Sequence, residues 1–346
     1  MPLARSAASP LSAVPDGWEH HDLAAQREEL VRAVGTNQLR LHYQPVVDLR
    51  SGCPVGVEAL VRWEHPTRGL LGPDAFMPLA ERTGLDVPIG AWVIGESCRL
   101  AALLQHRPGA PTVAVNLSGG QLSHRGLVAL VRDALQAHGC RGDSLVFEVT
   151  ETALVTDMDA AAASVNELRA LGSGVAIDDF GTGYSSMLYL KHLSPSALKV
   201  DRSFVRGMTA GSFDTAVVAA LVSLSHNLGL QCVAEGVETT QQLELLGQLG
   251  CDLAQGYLLC EPLDVDALVT WLDAHESGDP QRASEPVACR ETARIVAMHD
   301  NGLSPHTIAA ALNAERNRTD SGRRWSSQSV ALVLLRSRGV GSPTPR

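Results

Sequence analysis

The sequence predicts an α/β barrel of eight strands ringed by helices, followed by a small all-helical appendage. Short β-rich runs alternate with amphipathic helical segments across residues 23–275, which is the pattern of a sheet covered by helices. Eight such runs can be found, enough to close a sheet into a barrel. Residues 276–288 are mostly polar, contain Gly and Pro, and show no periodicity, so they read as a linker. Helical spacing resumes in residues 289–346.

The strand candidates are residues 39–47, 55–63, 112–117, 144–149, 174–177, 197–200, 231–234 and 252–255. Between them, stretches such as 157–171, 213–227 and 239–249 carry apolar residues three and four apart, which gives a helix one apolar stripe to lay against the strands. No internal repeat or long low-complexity tract interrupts this alternation.

With 346 residues, 45% of them hydrophobic and 19% charged, the chain can bury a full core. No apolar run approaches the ~18 residues that would span a bilayer, so no membrane association is expected. Residues 1–22 open with three prolines among small residues and read as a disordered lead-in. The seven cysteines, at 53, 98, 140, 232, 251, 260 and 289, are odd in number and form no C-x-x-C pair. A reducing, cytoplasmic compartment and no zinc site are therefore expected. The net charge of -10 is uneven, because residues 281–346 hold ten arginines against five acids. The acidic body argues against nonspecific nucleic-acid binding, and the basic tail leaves it open.

Strongly hydrophilic residues interrupt the apolar strands. Glu58 sits in VGVEALVRW, Asn116 in VAVNLS, and Glu148 and Glu151 in VFEVTET. Asp178 and Asp179 follow in VAIDDFGTG, Lys199 and Asp201 in LKVDRSF, and Glu235 and Glu238 in VAEGVET. Taken singly, an acid at a strand end is equally well a helix cap or a salt-bridge partner. Recurrence changes the reading, since the C-terminal ends of barrel strands converge on one face, where active sites are built. Carboxylates gathered there repel one another unless cations stand between them. Oxygen ligands without a Cys or His cluster point to hard divalent metals, Mg2+ or Mn2+.

Further motifs stand in series: Tyr43-Gln44-Pro45, Glu58-Ala59-Leu60 with Arg62-Trp63, Asn116-Leu117-Ser118, Asp178-Asp179-Phe180-Gly181-Thr182-Gly183-Tyr184, Lys199-Val200-Asp201-Arg202-Ser203-Phe204, Ala234-Glu235-Gly236-Val237-Glu238-Thr239 and Gln255-Gly256-Tyr257. In order and spacing they resemble the EAL phosphodiesterases, over roughly residues 25–265. The resemblance implies a modified TIM-type (β/α)8 barrel that hydrolyses cyclic di-GMP to linear pGpG with two divalent cations. It implies Glu58, Asn116, Glu148 and Asp178 as ligands of one metal, and Asp178, Asp179 and Glu235 as ligands of the other. Lys199, with Glu58 and Glu235, is implied in catalysis, Lys199 lying beside the attacking water. Gln44, Arg62 and Gln255 are implied as substrate contacts, Glu151, Asp201 and Glu238 as residues that order the loop after Asp178, and a homodimer through the barrel as the assembly. Two departures are visible: Glu261 stands before Pro262, where a basic residue is frequent, and Ser196 stands where an acid usually precedes the Leu-Lys pair. Neither is a ligand position.

In the tail, helices are expected over residues 292–300, from a Ser304 cap through residue 314, and from Ser326 or Ser327 through residue 336. Ile308, Leu312, Trp325, Val330 and Val333 would form its core. This segment resembles the helix-turn-helix part of serine recombinases, although residues 316–324 are long for a tight turn. The resemblance implies a DNA partner, with Arg316, Arg318, Arg323 and Arg324 at phosphates and Gln328 and Ser329 toward bases. The alternative is a solvated helical appendage that mediates dimerisation or a protein contact. The different-class alternative for the whole chain is a cyclic di-GMP-sensing, DNA-binding regulator with a weakly active barrel.

Overall fold

The computed structural model describes residues 23–276 except 108, 156–157 and 183–192, together with residues 295, 298–299, 303–314 and 330 of the tail. The strands are β1 (Leu39–Asp48), β2 (Pro54–His65), β3 (Gly69–Leu71), β4 (Thr112–Leu117), β5 (Leu145–Thr150), β6 (Gly174–Phe180), β7 (Ala197–Val200), β8 (Gln231–Ala234) and β9 (Leu253–Ala254). They form one sheet in the order β1-β9-β8-β7-β6-β5-β4-β2-β3, and an additional β1–β2 pairing closes eight of them into a ring.

One strand departs from the all-parallel pattern. β1 runs antiparallel to both of its neighbours, β2 and β9, while the pairs from β2 through β9 around the rest of the ring are parallel. The cause is local. A parallel crossover needs a dozen or more residues, and the connection between Asp48 and Pro54 is far shorter. It is a tight turn in which Asp48 Oδ1 accepts the N–H groups of Arg50 and Ser51 at 2.9 and 2.7 Å, and Gly52 takes a φ of 71°. β3 was not foreseen; it is a three-residue return of the chain that pairs with the far end of β2, Trp63 opposite Leu71.

The helices are α1 (Leu23–Gly35), α2 (Met77–Thr83), α3 (Asp86–Leu104), α4 (Gly119–Leu122), α5 (Leu127–His138), α6 (Glu151–Val155), α7 (Met158–Ala170), α8 (Arg202–Arg206), α9 (Phe213–Asn227), α10 (Thr240–Leu249), α11 (Val265–Glu276) and, in the tail, α12 (Pro305–Ala314). One of them corrects the expectation about apolar runs. At 19 residues α3 has the length and apolarity of a membrane span despite its charged residues, but half of that stretch is buried and it packs against β4 and α5. It is accounted for as a core helix of the barrel's outer ring.

Strand alternation divides the barrel into two cores. Val113, Val115, Leu145, Phe147, Val149, Val175, Ile177, Leu198 and Val200 belong to the large core shared with the helices. The opposite, inward set forms a separate cluster of Ala176, Ala197, Val233 and Leu253 with Val46, Val55 and Val146. These side chains are small, and a cavity of about 200 Å3 remains among them, with Glu148 and Lys199 also in its wall.

In the tail, Ser304 caps α12 as expected, its Oγ accepting the Thr307 N–H at 3.2 Å. Ile295, Ile308, Ala309, Leu312 and Val330 form a small core of their own, with Met298 packed on it. Of the expected tail core and DNA contacts, Trp325, Val333, Arg316, Arg318, Arg323, Arg324, Gln328 and Ser329 lie outside the described residues.

Ring closure leaves no slack beside β9. A Cβ at Gly256 would stand 2.2 Å from both the backbone N and O of Val237. That Val237 N–H donates to the Gln255 carbonyl at 3.0 Å, and its carbonyl accepts from Leu258 at 2.9 Å. Gly256→Ala is therefore expected to cost about 3 kcal/mol, at the upper end for overpacking. A fall in the urea midpoint checks this, and an unchanged midpoint refutes it.

Candidate functional site

Each of the eight ring strands carries, or is followed directly by, one polar residue two positions from a small or apolar inward residue. In the parallel strands the polar residue comes second: Gly56 then Glu58, Ala114 then Asn116, Val146 then Glu148, Ala176 then Asp178, Ala197 then Lys199, Val233 then Glu235, and Leu253 then Gln255. In the reversed β1 it comes first, Gln44 then Val46. Register sets them side by side: Gln44 pairs with Glu58 across β1 and β2, and Asn116 with Glu148 across β4 and β5. One layer of the barrel is thus polar around its whole circumference. The strand expected over residues 55–63 carries Glu58 in its interior, and β2 extends it to His65, because its outer half leaves the ring to pair with β3.

Lys199 stands at the centre of this layer, 2% exposed. Its Nζ lies 2.5 Å from Glu235 Oε1, 2.7 Å from Glu148 Oε2, 3.5 Å from Asp178 Oδ1 and 3.8 Å from Glu58 Oε2. A single ammonium thus faces four carboxylates, and the excess of negative charge shows in their protonation. Burial pushes the Glu148 carboxyl well above the usual range, against the pull of Lys199 and with help from Glu58, Asp178 and Glu235. Burial likewise pushes Glu235 up to about 8 despite Lys199. Glu58 goes the other way: burial opposes it, yet Lys199 and the amides of Gln255 and Asn116 hold its pKa below normal. For Lys199 the desolvation of burial is outweighed by the surrounding acids, which hold its pKa well above normal.

Two further groups extend the layer. Asp179 follows Asp178 in a left-handed backbone conformation, φ 54°, which Asp tolerates better than most residues. Its N–H donates to Asp178 Oδ1 at 2.9 Å, and its carbonyl accepts the Thr182 hydroxyl at 2.8 Å, which turns the chain sharply above the barrel. Burial, Asp178 and Asp201 together push its carboxyl up to about 6. Asp178, Asp179 and Glu235 bring carboxylate oxygens within 4.8 Å of one another, a spacing that a cation can bridge.

On the opposite side the amides form a chain. Gln255 Nε2 donates to Glu58 Oε2 at 2.6 Å and to Gln44 Oε1 at 2.9 Å, and Gln44 Nε2 donates to the Cys260 carbonyl at 2.9 Å. Asn116 Nδ2 donates to Glu58 Oε1 at 2.7 Å. Both oxygens of Glu58 are thereby oriented, while the buried Gln255 Oε1 has no partner among the described residues. Arg62 lies half-buried on β2, its Nη1 donating to the Val61 carbonyl at 2.9 Å.

The three residues expected to order the loop lie on or beside three different elements. Glu151 opens α6 with its carboxylate buried, and neither oxygen has a hydrogen-bond partner among the described residues. Asp201 caps α8, accepting the Ser203 N–H at 3.0 Å. Glu238 is exposed, and its backbone N–H donates to Gln242 Oε1 in the cap of α10. Sequence reasoning missed the support behind Asn116: Ser118 and Gln121 form a reciprocal capping box on α4, and Ser118 Oγ donates to Asp86 Oδ2 at 2.6 Å. The S-x-x-Q spacing of the box was legible; the reach to Asp86 was not.

Residues 27–262 match the EAL domain family. The chain belongs to the EAL domain family. It is 49% identical over 242 residues to the bifunctional diguanylate cyclase/cyclic di-GMP phosphodiesterase MucR of Pseudomonas aeruginosa, covering 70% of this chain and 35% of MucR. It is 45% identical over 250 residues to the cyclic di-GMP phosphodiesterase NbdA of the same organism, covering 72% of this chain and 32% of NbdA. The EAL chain thus spans about a third of the length of these curated relatives. The solved structure of the PaMucR phosphodiesterase in complex with c-di-GMP superposes with a TM-score of 0.68 at 48% identity, over 70% of this chain and 99% of that one. The family match ends at residue 262, so the tail and its helix-turn-helix resemblance lie outside it.

The charge imbalance fixes a pH dependence for the metal-free EAL barrel. Glu235 has a folded pKa of about 8 against an ordinary 4.5, so between those values the folded state holds a proton that the unfolded state has released. Stability then falls as pH rises through that window. The thermal midpoint in chelator is expected to drop from pH 5 to pH 8.5, and Glu235→Gln is expected to flatten the drop. A midpoint that rises across the same range contradicts the assignment.

Proposed function

We propose that this EAL barrel hydrolyses cyclic di-GMP to linear pGpG with two divalent cations, Mg2+ or Mn2+. The observation that carries the reading is the excess of carboxylates around one buried ammonium, in a chain 49% identical to a protein named for cyclic di-GMP hydrolysis. The donor set fits hard cations, being all carboxylate and amide oxygen.

Glu58, Asn116, Glu148 and Asp178 would hold one ion, and Asp178, Asp179 and Glu235 the other. When bound, such a pair lowers the pKa of an attacking water and stabilises charge on the phosphoryl oxygens. Hydrolysis forms one bond from the water oxygen to phosphorus and breaks one P–O ester bond, the water proton ending on the leaving oxygen. Lys199 holds the nucleophile and offsets transition-state charge, its ammonium being kept protonated by the surrounding acids. Glu58 and Glu235 serve catalysis through the ions they hold. The Gln44–Gln255 chain fixes Glu58 and leaves Gln255 Oε1 to accept from substrate, and Arg62 meets a phosphate. Glu151, Asp201 and Glu238 order the loop after β6. The barrel acts in the cytoplasm as a homodimer.

A second reading concerns residues 289–346, whose arginine excess and small separate core suit a DNA or protein contact. DNA binding there would weaken steeply with salt, as counterions released by phosphate contacts demand. Anisotropy with mixed DNA fragments should show retention by the full chain and none after removal of residues 281–346. Equal retention by both would end that reading.

Purified protein is expected to convert cyclic di-GMP to the linear dinucleotide with Mg2+ or Mn2+, to stop with chelator, and to bind but barely hydrolyse with Ca2+, whose looser shell positions water poorly. Undiminished turnover in chelator would sink the mechanism. Asp178→Asn should remove turnover by disturbing both ions. Lys199→Ala should lower kcat by about 100-fold or more while metal binding persists.

A further inference from the structure

The loop that follows Asn116 is clamped to the start of α3 from two sides. Asp86, the first residue of that helix, is 4% exposed and accepts the Ser118 hydroxyl at 2.6 Å. The same carboxylate fills the space beside Gly120, where a Cβ would fall 2.5 Å from its Oδ2. One helical turn on, Gly90 leaves room for the side-chain amide of Gln121; a Cβ there would lie 1.8 Å from Gln121 Nε2. That amide is not free to move aside, since its Oε1 accepts the Ser118 N–H at 3.1 Å. Positions 86 and 90 are four apart and share one face of the helix, so α3 grips α4 at both Ser118 and Gln121.

This grip sits two residues beyond Asn116. The Asn116 amide points to Glu58 at 2.7 Å, and its direction is set by where β4 ends and how the chain turns. With Ser118 released, the last residues of β4 would keep only their ladder bonds. A carboxylate buried at this place costs desolvation, and the hydroxyl, together with the N-terminus of α3, compensates it.

We propose that Asp86 is a positioning residue for the metal centre, acting through Ser118 to hold Asn116 in ligating geometry. The inference rests on the reading of Asn116 as a ligand. Groups that orient ligands from behind typically change metal affinity ~10–100-fold when removed. Asp86 reaches Asn116 only through Ser118, so its effect should appear as weaker ion binding.

Calorimetric titration of Mn2+ into the full chain tests this without reference to turnover. Asp86→Ala is expected to weaken Mn2+ binding about tenfold, and Asp86→Asn, which keeps an acceptor for Ser118, to restore it to within about threefold of wild type. Gly90→Ala, which displaces Gln121 from the other side, should shift binding in the same direction. Thermal midpoints measured alongside separate this from a structural role, which would lower the midpoint and leave Mn2+ affinity unchanged. Asp86→Ala or Gly90→Ala proteins that fold and bind Mn2+ within twofold of wild type overturn the proposal. If Asp86→Ala does not fold, Gly90→Ala decides alone. A wild-type chain that binds Mn2+ without hydrolysing cyclic di-GMP would end the hydrolase reading and leave the clamp to be judged on the titration.

Discussion

One buried ammonium surrounded by four carboxylates is the constraint on which the rest of the barrel depends. Lys199 could not remain charged at 2% exposure without those acids, and the acids could not remain together without it. A lone cation cannot balance them, so some hold protons or admit further positive charge. The polar layer is an electrostatic arrangement left incomplete by the chain's own residues, and metal binding is its natural completion.

Much of this layer is written in the strands as a two-residue rhythm. Glu58, Asn116, Glu148, Asp178, Lys199 and Glu235 interrupt apolar runs, and their alternation with Gly56, Ala114, Val146, Ala176, Ala197 and Val233 assigns them inward. Gln44 and Gln255 are different. A glutamine near a strand end carries no signal alone, and the direction of β1 decides that Gln44 and not its neighbour joins the ring. The brevity of the 48–54 connection could have revealed that reversal. The clamp behind Asn116 was hidden for another reason: Asp86 and Ser118 are 32 positions apart and meet only because α3 lies against β4. β3 is too short to show a period at all.

The two inward layers divide the work of the barrel. Small side chains below leave space, while above them long polar side chains reach inward and meet. Had the lower positions been large, the strands would pack as a filled cylinder, as barrels of this type usually do. Here the filling is polar, and its cohesion comes from hydrogen bonds and ion pairs.

Because every ring strand lends one residue, no partial barrel contains the site. Gln44 and Gln255 touch across 211 positions of sequence, so that contact forms only when the first strand meets the last. A growing chain leaving the ribosome has most of its carboxylates in place before this seam can shut. Ions that bind the finished ring and not its fragments would then draw the folding equilibrium toward closure by mass action.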